Sequence, residues 1–198
     1  MAETIETRPF PPFLPKKATV MMMGTFPPEQ SKRAMEFHYP NFQNDMWRVF
    51  GLVFFDEKDH FRNGEEKAMD PEKIKAFLSE AGIASCPTVL KAIREKENAS
   101  DAFLKVVEPV PLADVLEQIP DCKHIGTTGG KATEILLSLL PEKVKLPKTG
   151  ETIPFVFNGR ELTLTRLPST SRAYPLSLPK KAEAVSYTHL TLPTILRV

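Results

Sequence analysis

The apolar positions of this chain fall into short uncharged runs separated by stretches with apolar residues at helical spacing. Ala18–Met23 carries no charge between Lys16-Lys17 and Gly24, and reads as a strand buried on both faces. Met46, Val49, Phe50 and Val53 recur at helical intervals and predict a helix over 45–54. Asp70-Pro71 supplies an N-cap and a proline at the first helical position, so a helix runs from there to Ala81 and stops at Gly82. Ile83–Cys86 reads as a short buried strand, and 87–96, 99–107 and 111–119 read as three further helices. Cys122–Thr128 is a strand feeding a helix over 129–140. Thr152–Phe157 and Glu161–Arg166 flank Asn158-Gly159, a strong short hairpin signal. A last helix starts at Pro179. Residues 8–17 are too proline-rich for a helix and form an extended lead-in, and 56–68 is a charged loop in which His60 is a surface side chain.

Helices alternating with short apolar strands, without internal repeats, predict a three-layer α/β/α sandwich around a central, mostly parallel four-stranded sheet. One domain is expected over 18–184, behind the lead-in 1–17. The segment 185–198 switches to Thr, Leu and Pro and resembles translated vector sequence, so it is expected to be a non-native tail, with no role for His189.

Composition narrows the class. Hydrophobic content of 41% and charged content of 26% over 198 residues are those of an ordinary globular chain. No run of about 18 apolar residues offers a membrane span, and the polar N-terminus lacks the apolar core of a signal peptide. Cys86 and Cys122 sit far apart without metal-ligand spacing, which predicts buried thiols in a reducing compartment, hence a cytoplasmic protein. No metal, cofactor or membrane partner is expected, and an iron–sulfur cluster would need about four cysteines. A net charge of +1 gives no global sign of nucleic-acid binding, although a small contact site needs only a local basic rim.

Three segments carry candidate chemistry. The first strand stops at Gly24-Thr-Phe-Pro-Pro28 and enters a loop of aromatics and amides (Phe37, His38, Tyr39, Asn41, Phe42, Gln43, Asn44) ahead of a helix. A strand end followed by such a loop is where open α/β sheets bind ligands. Thr127-Thr-Gly-Gly-Lys-Ala132 lies at a strand-to-helix junction, suited either to anion binding or to tight turn chemistry; its spacing is not that of a nucleotide-binding P-loop. Leu167-Pro-Ser-Thr-Ser-Arg-Ala173 follows the last strand, and its hydroxyls suit either capping of their own backbone or contacts to a ligand.

In this order, Gly24-x-x-Pro27, Asn44-x-x-Trp47, Thr128-Gly-Gly-Lys131 and Leu167-Pro-Ser169 resemble the signature segments of the uracil-DNA glycosylase superfamily. The mismatch-specific uracil and hypoxanthine-DNA glycosylase branches are the most similar, and the resemblance covers about residues 16–184. It implies a monofunctional, monomeric DNA glycosylase that hydrolyses the N-glycosidic bond of a flipped uracil or hypoxanthine in base-excision repair, without metal or cofactor. The pocket would be lined by Gly24, Thr25 and Phe26, with Phe37 or Tyr39 as the stacking ring. Phe26 stands where the uracil branch has Asn or Asp, and a phenyl ring cannot orient water. The resemblance to the hypoxanthine branch moves that role to Asn44, with Asp45 as a base beside it; a plain helix N-cap pair is the alternative for both. Lys131, Ser169 and Ser171 would hold phosphates, and Arg172 or Tyr174 would fill the gap left in the stack. Two rivals follow: a catalytically weak or inactive relative serving as a DNA-binding module, and an unrelated nucleotide-binding protein using Thr128–Lys131.

Overall fold

The computed structural model describes residues 4–95 and 100–188. Its strands are β1 (Ile5–Thr7), β2 (Val20–Met23), β3 (Ile83–Ser85), β4 (Val89–Arg94), β5 (Leu104–Pro109), β6 (His124–Thr128), β7 (Thr152–Phe157) and β8 (Arg160–Leu167). Its helices are α1 (Met46–Phe55), α2 (Pro71–Ala81), α3 (Leu112–Glu117), α4 (Gly130–Ser138) and α5 (Leu178–Ser186). The central sheet runs β3-β2-β6-β8-β7, with four parallel strands and β7 antiparallel at one edge. It therefore has five strands rather than the expected four.

Period-two alternation in β2 builds the sandwich. Met21 and Met23 join one core with Val115 and Leu116 of α3 and Leu136 of α4; Val20 and Met22 join the other with Val49 and Phe50 of α1, Ile74 and Leu78 of α2, and Val185 of α5. All four β2 residues are buried, which is why the strand is apolar throughout. Helix α2 begins as its sequence predicts: the Asp70 carboxylate accepts from Glu72 and Lys73 N–H, and Gly82 closes the helix in the left-handed conformation at φ 71°.

The helix expected over 87–96 is instead strand β4, which pairs antiparallel with β1 and β5 in a second, three-stranded sheet. Register shifts on either side of Lys91 break the alternation, so Val89, Ala92 and Ile93 mimic helical spacing while lying in a strand. The helix expected over 99–107 is replaced by a 3-10 turn at 101–103, capped by Ser100, and by β5. Residues 96–99 lie outside the described residues. The lead-in is anchored, β1 to β4 and Phe13 to Ser85. At the other end α5 continues through Ser186 with Val185 buried, and 189–198, the rest of the expected tail, lie outside the described residues. Both cysteines are free and buried.

Candidate active site

Because β2, β6 and β8 are parallel, the loops that leave Met23, Thr128 and Leu167 emerge at the same edge of the sheet. Gly129 N–H donates to Leu167 O at 3.1 Å, and a Cβ on Gly129 would lie 3.5 Å from that of Ser169, so the second and third segments touch. Beside them opens a cleft of about 610 Å³, lined among others by Gly24–Pro28, Tyr39, Asn44, Asp101, Thr128 and Ser169–Tyr174. That volume falls in the range of small-molecule sites.

The floor is the turn after β2. Gly24 O and Thr25 O accept from Thr88 and Val89 N–H, and Pro27 O accepts from the Arg94 guanidinium, so the second sheet fixes this turn from outside. The Tyr39 ring lies over Gly24: a Cβ there would stand 3.0 Å from the phenol oxygen. Tyr39 takes φ 53°, a left-handed conformation that costs a non-glycine residue roughly 1–2 kcal/mol and here turns the ring into the cleft. Its hydroxyl pairs with Thr128 Oγ1 at 2.9 Å, and burial pushes the phenol up to about 12. Its neighbour His38 anchors the strained loop. A carbonyl can only accept, so His38 Nε2–H donates to Pro11 O at 2.9 Å and Nδ1 takes the Ser85 hydroxyl at 2.6 Å. Burial lowers this imidazole to about 4 and keeps it neutral. Phe37 is not at the cleft; it is 3% exposed in the core, stacked on His38 and Trp47. Of the two candidate rings, only Tyr39 faces the opening. Phe26 lines the cleft with Arg94 over its ring.

Asn44 lines the cleft and caps α1, its Oδ1 accepting from Met46 N–H at 2.9 Å. A carbonyl oxygen has a second lone pair, and the amide NH2 remains, so capping does not exhaust the side chain. Arg48 braces this loop from below, donating to Phe42 O and Asn44 O and lying over the Phe42 ring. Asp45 turns away: Oδ2 meets Lys181 Nζ of α5 at 2.9 Å, Oδ1 lies 3.6 Å from Arg172, and its N–H donates to Thr170 O. The carboxylate expected to act as a base is thus the buried tie between α1, α5 and the loop after β8. Lys181 also donates to Ser171 O at 2.9 Å.

Ser169 and Ser171 accept from the N–H groups of Ser171 and Ala173, the local hydroxyl turns that keep this loop stiff. Arg172 and Tyr174 stand exposed on the rim, while Lys131 sits half-buried on the first turn of α4, outside the cleft lining. One group absent from the sequence reading is Asp101. Thr25 Oγ1 donates to its Oδ2 at 2.8 Å, which brings a carboxylate to the Gly24–Phe26 turn from the second sheet. Burial pushes this carboxyl above the usual range, against the Thr25 hydrogen bond and the Lys131 and Arg94 charges, which favour the ionised form. Among the described residues no group of three or more His, Cys, Asp or Glu is arranged to hold a metal, and no helix is long and apolar enough to cross a membrane.

No family model matches the sequence, and no curated protein matches it. Among solved structures the chain is similar to a Methanosarcina acetivorans protein, determined by solution NMR, that carries the provisional name uracil DNA glycosylase. The two are 23% identical with a TM-score of 0.61, over 94% of this chain and 99% of that one. The likeness is one of fold: a mostly parallel sheet between helical layers, spanning nearly the whole of both chains.

Proposed function

We propose that the protein is a monofunctional DNA glycosylase that hydrolyses the N-glycosidic bond of a flipped deaminated base, uracil or hypoxanthine. The observation that carries this reading is Tyr39, whose left-handed backbone lays an aromatic ring across Gly24 inside a cleft rimmed by a stiff hydroxyl loop and Arg172. An extruded base needs such a ring to stack on and backbone groups to read its edge; Gly24, Thr25 and Phe26 offer the latter. Asn44 is the group to orient the attacking water through its remaining lone pair and NH2. Ser169, Ser171 and Lys131 hold flanking phosphates, and Arg172 or Tyr174 occupies the emptied stack. Asp45 serves this site by holding the loop, not as its base.

A second reading, a DNA-binding module with little or no catalysis, is favoured by Phe26 in place of an amide or carboxylate and by the engagement of Asp45 with Lys181. Duplex oligonucleotides bearing a single uracil, hypoxanthine or xanthine separate the two. Free base released in the presence of a chelator supports the glycosylase; affinity for the lesion without release supports the module.

A further inference from the structure

The turn after β2 lacks a side chain able to activate water, because its third position is Phe26. The structure returns a carboxylate to that turn from elsewhere in the chain. Asp101 opens the 3-10 turn before β5, a turn capped by Ser100 through Ala102 N–H, and lines the same cleft as Tyr39 and Asn44. Thr25 Oγ1 donates to Asp101 Oδ2, whereas among the described residues no hydrogen bond is made to Oδ1. The charged groups acting on it are Arg94 of β4 and Lys131 of α4, both of which favour the carboxylate, and its charge is in turn felt by the Tyr39 phenol.

We propose that Asp101 is the catalytic carboxylate of this site, oriented by Thr25 to take a proton from the water that attacks the sugar. The inference rests on the glycosylase reading. The water oxygen bonds to C1′ while the C1′–N bond breaks and its electron pair leaves with the base. One water proton passes to Asp101 Oδ1, and the other stays on the new 1′-hydroxyl. The departing base anion takes up one proton from solvent and Asp101 returns its proton to solvent, so that an abasic deoxyribose, a neutral base and the original carboxylate account for every atom. Burial and an ionised state oppose each other at Asp101, which matches a base with a proton affinity above that of a surface carboxylate.

The test is the pH profile of single-turnover base release by wild type, Asp101→Asn and Thr25→Val, with thermal melting and DNA affinity on the same samples. Asp101→Asn should slow release by on the order of 10²-fold or more with affinity unchanged, and should remove the acidic fall in rate. Thr25→Val removes a hydrogen bond that stabilises the ionised carboxylate, so it should move that acidic limb to higher pH. Release by Asp101→Asn at close to the wild-type rate, or an unmoved acidic limb in Thr25→Val, overturns the proposal and leaves the glycosylase reading standing. Absence of release by wild type overturns both.

Discussion

The tie between α1, α5 and the loop after β8 makes a quantitative prediction for Lys181→Met. Lys181 is 2% exposed and Asp45 5% exposed, and they meet at 2.9 Å. Removing one partner of a buried pair typically costs about 3–5 kcal/mol, because the remaining charge stays desolvated. The lost hydrogen bond to Ser171 O adds roughly 1 kcal/mol, and Arg172 offsets a share, being 3.6 Å from Asp45 Oδ1 but half exposed. The expected net loss is about 3–5 kcal/mol, which lowers the melting temperature by roughly 6–20 °C in a domain of this size. The double variant Asp45→Leu/Lys181→Met removes both charges and should recover most of the loss, because an apolar pair of similar volume often matches a buried ion pair. Calorimetric melting of the four proteins, combined as a double-mutant cycle, gives the coupling directly. A drop below about 3 °C for Lys181→Met, or no recovery in the double variant, refutes the argument that this pair holds the loop in place.

Asn44→Ala should reduce single-turnover base release by on the order of 10²-fold and cost about 1 kcal/mol of stability, since the side chain both faces the cleft and caps Met46 N–H. An unchanged rate per folded molecule, set against a measured melting loss, would leave it a cap alone. The pH dependence of stability should carry the signature of His38. Its folded-state value of about 4 lies below the ordinary 6.5, so the unfolded chain binds more protons between those values. Stability is full above about pH 6.5 and declines as pH falls toward 4, by up to about 3 kcal/mol. Urea unfolding of wild type and His38→Asn at pH 7 and near pH 4 checks this, with the variant expected to lose correspondingly less.

The parts of the fold that were legible in the sequence are those where local signals and tertiary packing agree. β2 reads as a strand because both faces are buried, and α2 because Asp70, Pro71 and Gly82 mark its ends. β4 and β5 read as helices because a register irregularity at Lys91 disguised the alternation, and because the pairing of β4 with β1 is non-local. That error hid Asp101, whose tie to Thr25 spans 76 positions and leaves no local trace. The role of Asp45 was hidden likewise, since Lys181 lies 136 residues away. The difference between Phe37 and Tyr39 needed the backbone: two aromatics on either side of His38 look equivalent until φ 53° at Tyr39 sends its ring to the cleft, while Phe37 lies in the core.

Base excision with Tyr39 as the stacking ring is decided by single-turnover base release from a duplex with one uracil or hypoxanthine, in a chelator, with wild type and Tyr39→Ala side by side. Wild type should yield free base and an abasic strand that breaks only on alkali treatment. Tyr39→Ala should lose about 5- to 150-fold of the activity, the equivalent of roughly 1–3 kcal/mol of base stacking. Duplex binding by wild type without release of any base, or release that Tyr39→Ala leaves intact, would contradict this assignment.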